Sequence, residues 1–427
     1  MFPFRLPCLR PFGFARFMTT KIRNKIIFLT CIFAFLGLGV LIYREWVVQR
    51  PFAVVLFVAD NLSPSQLAAG RIFTGGSGFR YGLESMPHVA LVTPRSRDYA
   101  VADSAAAATA LATGQEVNRG ALGLSPEGQS LESLLSLARR QGRATGLVSN
   151  TPLTDPAPAA FYAHATDTSD TTALAVQLVD EAPMDVMLGG GASQLAPAEQ
   201  GGTRKDGRDL LLDMRQRGFD IVRTRAELEN TPGWRSPQVF GVFSDGDLAF
   251  VEDQPRYASQ PRLADLVSRA IGLLQYNRKG YFLVVNAGLS GRAADLGRGE
   301  TLLREIGALD EAVAAALQYA GEDALVMVAG LANSGGLQLN GFSFAPDRGI
   351  AVLGTSAAGI PALSWATGPS RTQTKEGSTT AEVVASPTER PAPVAGDSLV
   401  FASGPRTDSV RGFLTYPQLN EVLRKSL

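Results

Sequence analysis

The sequence predicts an α/β protein with a doubly wound, mostly parallel central sheet and helices on both faces, preceded by one transmembrane helix. Three stretches are almost wholly apolar, as in strands that are buried on both faces of a sheet: residues 52–59 (FAVVLFVA), 280–288 (GYFLVVNAG) and 324–330 (ALVMVAG). Helical patterns alternate with these strands, an order typical of a parallel sheet between two helical layers. An uncharged apolar run, residues 26–43, lies ahead of them all.

The elements follow one another in a strand-then-helix order. The first strand ends at Asp60, and the next segment, LSPSQLAAGRIF, begins a helix with Ser63 as its N-cap and Pro64 as its first residue. Later come a helix at 131–141, strands at 144–149 and 184–191, and helices at 262–276 and 301–320. Ligand sites in such sheets lie beyond the carboxyl ends of the strands, so we expect the site near Asp60, Asn286 and the residues after Gly330.

Composition narrows the classes of function. The 427 residues carry 40 basic and 40 acidic side chains, and this balance gives no indication of a nucleic-acid partner. The only cysteines are Cys8 and Cys31, so the rest of the chain has no disulfide and no thiolate metal site. The only histidines are His88 and His164, although histidine is the commonest metal ligand in proteins.

The N-terminal segment predicts a membrane anchor. Residues 1–25 are basic and contain no acidic residue, and residues 26–46 are long enough to cross a bilayer core of about 30 Å. The basic flank favours a single-pass protein of the cell membrane with a cytoplasmic N-terminus and an extracytoplasmic or periplasmic C-terminal domain. A cleaved signal peptide is the alternative, and Met18 is an alternative to Met1 as the start.

Residues 47–427 are expected to form one exported domain. Within it, residues 366–397 are rich in Ser, Thr, Pro and Glu, which predicts a long surface excursion.

Several segments in order resemble the alkaline phosphatase family. VADSAAAATALATG (101–114) is similar to the segment that holds the family's serine nucleophile, and VVLFVADNLSPSQLAAGR is similar to its first strand and metal-binding aspartate. TPLTDPAPAAFYAHATD, DVMLGGG, PRLADLVSRAIGLLQYNRKGYFLVV and LVFASGP follow in the family's order. The resemblance covers roughly residues 52–427 and implies the alkaline phosphatase fold, and the family often forms homodimers.

The resemblance also implies a mechanism with two zinc ions, a nearby magnesium ion and an arginine that clamps phosphate. Three positions of this chain match the family. Ser104 falls on the nucleophile, Asp60 falls on the aspartate shared by zinc and magnesium, and Asp155 falls on a magnesium-site aspartate.

The other functional positions differ from the family. By the resemblance, Ala157 stands at the position of a threonine and Thr168 at that of the phosphate-clamping arginine. Asn286 stands for the magnesium glutamate, Gly291 for a zinc aspartate and Asp295 for a zinc histidine. Leu331 with Ala332 replaces the Asp-His pair, and Thr379 replaces the last zinc histidine. No histidine follows His164, so no shift of alignment restores the missing ligands.

A catalytic zinc ion needs about three protein ligands, so we expect the two-zinc site to be lost. Without a metal, Ser104 keeps the high pKa of an alcohol, and a helix N-terminus offsets only about 2 kcal/mol. Each of the three matching residues also has a purely structural interpretation. Ser104 would be the N-cap of its helix, and Asp60 would cap the following helix or accept from backbone amides. The side chain of Asp155 would form a hydrogen bond with the backbone of its own turn.

Two functional hypotheses remain. The first is a membrane-tethered pseudo-phosphatase, catalytically inactive, that needs no cofactor and binds a ligand, a protein partner or a second copy of itself. The alternative is a hydrolase that uses Ser104 with a reduced oxygen-ligand site, in which Asp60, Asp155 and Asn286 hold one Mg²⁺, Mn²⁺ or Ca²⁺.

Overall fold

The computed structural model describes residues 20–43, 53–182, 184–233, 238–340, 354–356, 358–369 and 382–427. The chain forms two compact units that divide between Arg50 and Pro51. The first unit contains helix α1 (Thr20–Tyr43), of which Lys21–Val40 is long and apolar enough to cross a membrane. Residues 44–46 of the predicted anchor lie outside the described residues.

The second unit is built on a large central sheet. In the described part of the chain, its ten strands lie in the order β13-β2-β12-β8-β1-β7-β3-β4-β6-β5, and β9 to β11 form a second, three-stranded sheet. The strands are β1 Ala53–Ala59, β2 His88–Val92, β3 Ala144–Pro152, β4 Val186–Gly190, β5 Asp220–Val222, β6 Val239–Val242, β7 Tyr281–Ala287, β8 Leu325–Gly330, β9 Gln338–Leu339, β10 Leu363–Gly368, β11 Glu382–Pro387, β12 Ser398–Ser403 and β13 Gly412–Leu414.

The pairing of the central sheet is mostly parallel, as predicted. β1 pairs in parallel with β7 on one side and β8 on the other, and β7 continues in parallel to β3. β12 pairs antiparallel with both of its neighbours, β8 and β2. The register places Val58 beside Asn286, so the end of β1 and the end of β7 are level.

Helices cover both faces of this sheet, which confirms the predicted fold class. The helices of the second unit are α2 Pro64–Gly75, α3 Ser104–Thr113, α4 Leu134–Arg140, α5 Pro156–Ala159, α6 Thr171–Val176, α7 Ala192–Leu195, α8 Leu210–Gln216, α9 Arg225–Asn230, α10 Leu263–Leu274, α11 Leu289–Asp295, α12 Gly299–Ala320 and α13 Tyr416–Ser426. Short 3₁₀ or π turns lie at Gly82–Ser85, Gln177–Glu181, Ala198–Gln200 and Gln254–Tyr257.

Alternate side chains of β1 enter two different cores, because successive residues of a strand point to opposite faces. Val55 and Phe57 pack with α2, α10 and α12, whereas Val54, Leu56 and Val58 pack with α3, α4 and α13. Every residue of β1 is buried. The apolar sequence of the strand is therefore explained by contact with a helical layer on each side.

Local signals set the start of α2 as the sequence predicts. Ser63 is the N-cap, and its hydroxyl accepts from the backbone N–H of Gln66 while the Gln66 side chain accepts from the N–H of Ser63. Pro64 is the first helical residue. This capping box begins the helix immediately after the β1 turn and fixes the chain around Asp60.

Part of the segment predicted as a surface excursion, residues 366–397, forms strands, because β10 ends inside it at Gly368 and β11 (Glu382–Pro387) lies wholly within it. β10 and β11 pair in parallel and contribute to the small sheet, and β10 also pairs with β9. Residues 370–381, which include Thr379, lie outside the described residues.

A buried carboxyl group lies on α12. Glu305 is 5% exposed, and its Oε1 accepts from the backbone N–H of Val251 at 2.8 Å. Burial raises the pKa of Glu305 to about 7, the hydrogen bond from Val251 lowers it in part, and the nearby Glu252 raises it further.

The pH dependence of the free energy of unfolding, compared between wild type and Glu305→Gln, tests the cost of burying this carboxyl group. Glu305 binds its proton more tightly in the folded chain than in the unfolded chain, so wild-type stability falls as pH rises from about 4.5 to about 7. Glutamine keeps an acceptor for Val251 and carries no charge. We expect the variant to gain up to about 3 kcal/mol relative to wild type between pH 4.5 and pH 8, measured by urea unfolding. A difference that is constant with pH would contradict the assignment.

Candidate active site

A cavity of about 190 Å³ opens at the carboxyl edge of the central sheet. It lies where β8, β1, β7 and β3 end side by side, which is the position predicted from the sequence. Its described lining comprises Asp60, Asp103, Ser104, Asp155, Pro156, Ala157, Asn286, Gly288, Gly291, Arg292, Asp295, Ala332, Asn333, Ser334 and Pro393. The structure therefore brings Ser104, Asp60, Asp155 and Asn286 to one cavity.

Ser104 is the first residue of α3 and not its cap. Asp103 is the N-cap, because its Oδ1 accepts from the backbone N–H of Ala106 at 2.9 Å. Its Oδ2 accepts from the backbone N–H of Gly120 at 2.9 Å. The structural interpretation of Ser104 as the N-cap is therefore wrong, because the preceding carboxylate already satisfies the helix end.

The Ser104 hydroxyl is instead directed at Asp60. Ser104 Oγ donates to Asp60 Oδ1 at 2.7 Å. Asp60 caps no helix, since Ser63 caps α2, and no backbone amide of the described residues donates to its side chain. The expectation that Asp60 caps a helix or accepts from amides is therefore wrong. Loss of water around the carboxylate raises the pKa of Asp60 to about 6, against the opposing hydrogen bond from Ser104.

Asp155 forms an ion pair across the cavity wall. Arg292 Nη2 donates to both Oδ1 and Oδ2 of Asp155 at 2.7 Å, and Arg292 Nε donates to Asp247 Oδ1 at 3.2 Å. Asp155 does not bond its own turn through its side chain, so that interpretation is wrong. Desolvation raises the pKa of Asp155, and Arg292 opposes the rise.

Arg292 is a charged residue of the cavity that the sequence did not single out. It lies on α11, between Gly291 and Asp295, the two positions at which the resemblance implies a zinc aspartate and a zinc histidine. In the sequence, the signal that could have indicated Arg292 is a basic side chain directly beside Gly291. Its partner Asp155 is 137 residues away in the chain, and only the folded structure shows the pairing.

Asn286 lies near the end of β7 and is 1% exposed. Its Nδ2 donates to the hydroxyls of Ser149 and Thr151, each at 3.0 Å. Its Oδ1 is buried and accepts no hydrogen bond from the described residues. The side chain thus places an unused acceptor at the wall of the cavity.

The remaining positions supply no zinc ligand. Gly291, Ala157 and Ala332 line the cavity without a donor atom in their side chains, and Leu331 is buried beside it. At Gly291 a Cβ atom would lie 3.1 Å from the Cβ of Asp60, so the glycine lets α11 approach Asp60 closely. Thr168 and His164 are not part of the described lining, and His164 Nε2 instead lies 3.1 Å from the carbonyl oxygen of Leu131.

The donor set of the cavity does not fit two zinc ions. Each zinc needs about three N, O or S ligands, but the lining offers only Asp60 and Asp295 at the positions that should supply them. Asp155 has both oxygens bonded to Arg292. Among the described residues, no group of three or more His, Cys, Asp or Glu side chains is placed to hold a metal ion.

Comparison with known proteins identifies the family. Residues 53–425 match the sequence profile of alkaline phosphatase. The chain belongs to the alkaline phosphatase family. The resemblance stated from the sequence is thereby confirmed.

Two curated alkaline phosphatases show the degree of similarity. Alkaline phosphatase 4 of Bacillus subtilis is 34% identical over 240 residues, which cover 55% of this chain and 49% of the relative. The alkaline phosphatase of Escherichia coli is 29% identical over 322 residues, covering 64% and 68%. The aligned part of this chain therefore spans about half to two thirds of the length of these relatives.

Solved structures confirm the alkaline phosphatase fold. The alkaline phosphatase of the Antarctic bacterium TAB5 superposes with a TM-score of 0.69 at 20% identity, covering 88% of this chain and 98% of that chain. The enzyme of Thermus thermophilus gives a TM-score of 0.72 at 22% identity, covering 89% and 92%. A variant of the TAB5 enzyme was solved with magnesium bound in its M3 site.

Proposed function

We propose that this member of the alkaline phosphatase family is a membrane-anchored pseudo-phosphatase that acts by binding and not by hydrolysis. The observation that carries the proposal is the chemistry of the cavity wall. Gly291 and Ala332 stand where the resemblance implies a zinc aspartate and a zinc histidine, and both line the cavity beside Ser104.

The chemistry of Ser104 agrees with loss of activity. In a two-metal phosphatase the metal ions activate the nucleophile and stabilise the leaving oxygen. Among the described residues, Ser104 is the first residue of α3, at the positive end of that helix, and its hydroxyl donates to the carboxylate of Asp60. The helix end contributes about 2 kcal/mol at most, roughly one and a half pKa units, which leaves the hydroxyl mostly protonated near neutral pH.

Hydrolysis of p-nitrophenyl phosphate tests this proposal. The full chain in detergent micelles would be assayed at pH 7–10 with Zn²⁺, Mg²⁺ or Mn²⁺, beside Ser104→Ala as the matched control. We expect both proteins to release p-nitrophenol at the same background rate with every metal. Activity in the wild type that is lost in Ser104→Ala would show that Ser104 is a nucleophile and that the proposal is wrong.

One observation favours the second candidate, a hydrolase with a reduced oxygen-ligand site. The 2.7 Å hydrogen bond from Ser104 to Asp60 is within the range of a nucleophile and its general base. The buried Oδ1 of Asn286 and the carboxylate of Asp60 would supply two of the oxygen ligands of a Mg²⁺, Mn²⁺ or Ca²⁺ ion. Asp155, the third candidate ligand, would first have to leave Arg292.

We also propose that α1 anchors the protein with its basic end in the cytoplasm and residues 47–427 outside it. The uncharged run at 26–43 and the basic flank support this orientation. A cleaved signal sequence would remove the run, and an anchor keeps it.

Membrane extraction distinguishes an uncleaved anchor from a cleaved signal sequence. We expect the expressed chain to stay in the membrane pellet after alkaline carbonate washing, with an intact mass that includes residues 26–43. Two charged substitutions in the run, Phe33→Arg with Leu36→Arg, should release the chain, because each arginine costs about 3 kcal/mol at the bilayer centre. A wild-type product that is soluble and lacks these residues would rule out the anchor.

A further inference from the structure

We propose that Arg292 is a built-in counter-ion that takes the place of metal charge in this cavity and makes the fold independent of metal ions. The donor set of the cavity does not fit two zinc ions, and this disagreement raises the question of how its carboxylates are held without them. The inference rests on the proposed function, because it takes the metal sites as lost. It gives Arg292 a positioning role, since the guanidinium acts through the carboxylates that it holds.

Arg292 links three segments from distant parts of the chain. On α11, its Nη2 donates to both carboxylate oxygens of Asp155, which follows β3, and its Nε donates to Asp247, which follows β6. Asp155 lies 137 residues away in the chain, and Asp247 lies 45 residues away. One cation shared by two carboxylates cross-links their segments at the carboxyl edge of the sheet.

The burial of this ion pair makes the counter-ion necessary. The side chain of Asp155 is 18% exposed, and that of Arg292 is 36% exposed. Removal of one partner from a buried ion pair is strongly destabilising, because the other charge stays buried without compensation. A guanidinium keeps its charge at every pH at which proteins are folded, so the compensation does not depend on a supply of metal.

The charge of Arg292 also acts on the two carboxylates that stand at zinc positions. Burial raises the pKa of Asp60 and the pKa of Asp295, and the guanidinium opposes the rise at both. Arg292 therefore favours the ionised form of carboxyl groups from three different turns of the cavity wall: Asp60, Asp155 and Asp295.

The residue before Arg292 explains how α11 reaches this position. Gly291 stands where the resemblance implies a zinc aspartate, and a Cβ atom there would lie 3.1 Å from the Cβ of Asp60. The absence of a side chain lets α11 lie against the turn after β1. At two successive positions, the helix thus lacks a carboxylate that would need a metal and carries a cation.

Thermal unfolding of the full chain in detergent micelles, followed by circular dichroism at pH 8 with EDTA present, tests the inference. Arg292→Met removes the charge but keeps a long side chain, and Arg292→Lys keeps the charge. We expect the Tm to fall by about 5 °C in Arg292→Met and by less than half as much in Arg292→Lys.

Arg208 provides the matched control. Its guanidinium also bridges two carboxylates, those of Asp180 and Asp213, and its side chain is 37% exposed. Asp180 keeps a second cation, Arg217, when Arg208 is removed. We therefore expect the Tm to change by less than about 2 °C in Arg208→Met.

Rescue by free guanidinium is a readout that a simple packing role would not move. In Arg292→Ala, about 20 mM guanidinium chloride should raise the Tm by about 2 °C over the same concentration of NaCl, because the cation refills the vacated position and stabilises the folded state. Wild type and Arg208→Ala should show no such rise. Arg292→Lys decides the question if the methionine and alanine variants do not fold: a folded lysine variant supports the role of charge, and an unfolded one contradicts it.

Three outcomes would overturn the inference: equal Tm in wild type and Arg292→Met, no guanidinium rescue of a folded Arg292→Ala, or a wild-type Tm that EDTA lowers and Mg²⁺ or Zn²⁺ restores. The inference and the proposed function fail separately. Ser104-dependent hydrolysis contradicts the function, whereas an inert chain whose Tm does not depend on Arg292 contradicts only the counter-ion.

Discussion

The parallel pairing of β1 with β7 and β8 sets the position of every residue in the cavity. β1 is buried on both faces, so its register with its neighbours is fixed by packing on each side. This register brings the turn after β1, the end of β7 and the turn after β8 together. Asp60, Asn286 and Ala332 reach one cavity because three strands end at the same level.

Within that frame, the electrostatic character of the site depends on Arg292. The described lining contains four carboxylates and a single guanidinium, that of Arg292. Arg292 Nη2 donates to both carboxylate oxygens of Asp155 and its Nε donates to Asp247, which neutralises part of the acidic wall. In the described part of the chain, no cationic side chain bonds to Asp60, and desolvation by burial raises its pKa to about 6.

The sequence was sufficient for the fold and for the place of the site. Continuous apolar strands, the capping box at Ser63 and the residues that follow each strand are local signals, and the structure confirms each of them. The contacts of the site were not predictable in the same way. Whether Asp103 or Ser104 caps α3 is a choice between adjacent residues, and the ion pair of Asp155 with Arg292 joins segments 137 residues apart.

Zinc content tests the proposed loss of the two-metal site most directly. The full chain would be equilibrated with Zn²⁺ at pH 8, passed through a desalting column, and analysed by inductively coupled plasma mass spectrometry beside Asp60→Asn. The account predicts no stoichiometric zinc in either protein, because Gly291, Leu331 and Ala332 supply no ligand. Two zinc ions per chain in the wild type, reduced in Asp60→Asn, would contradict it.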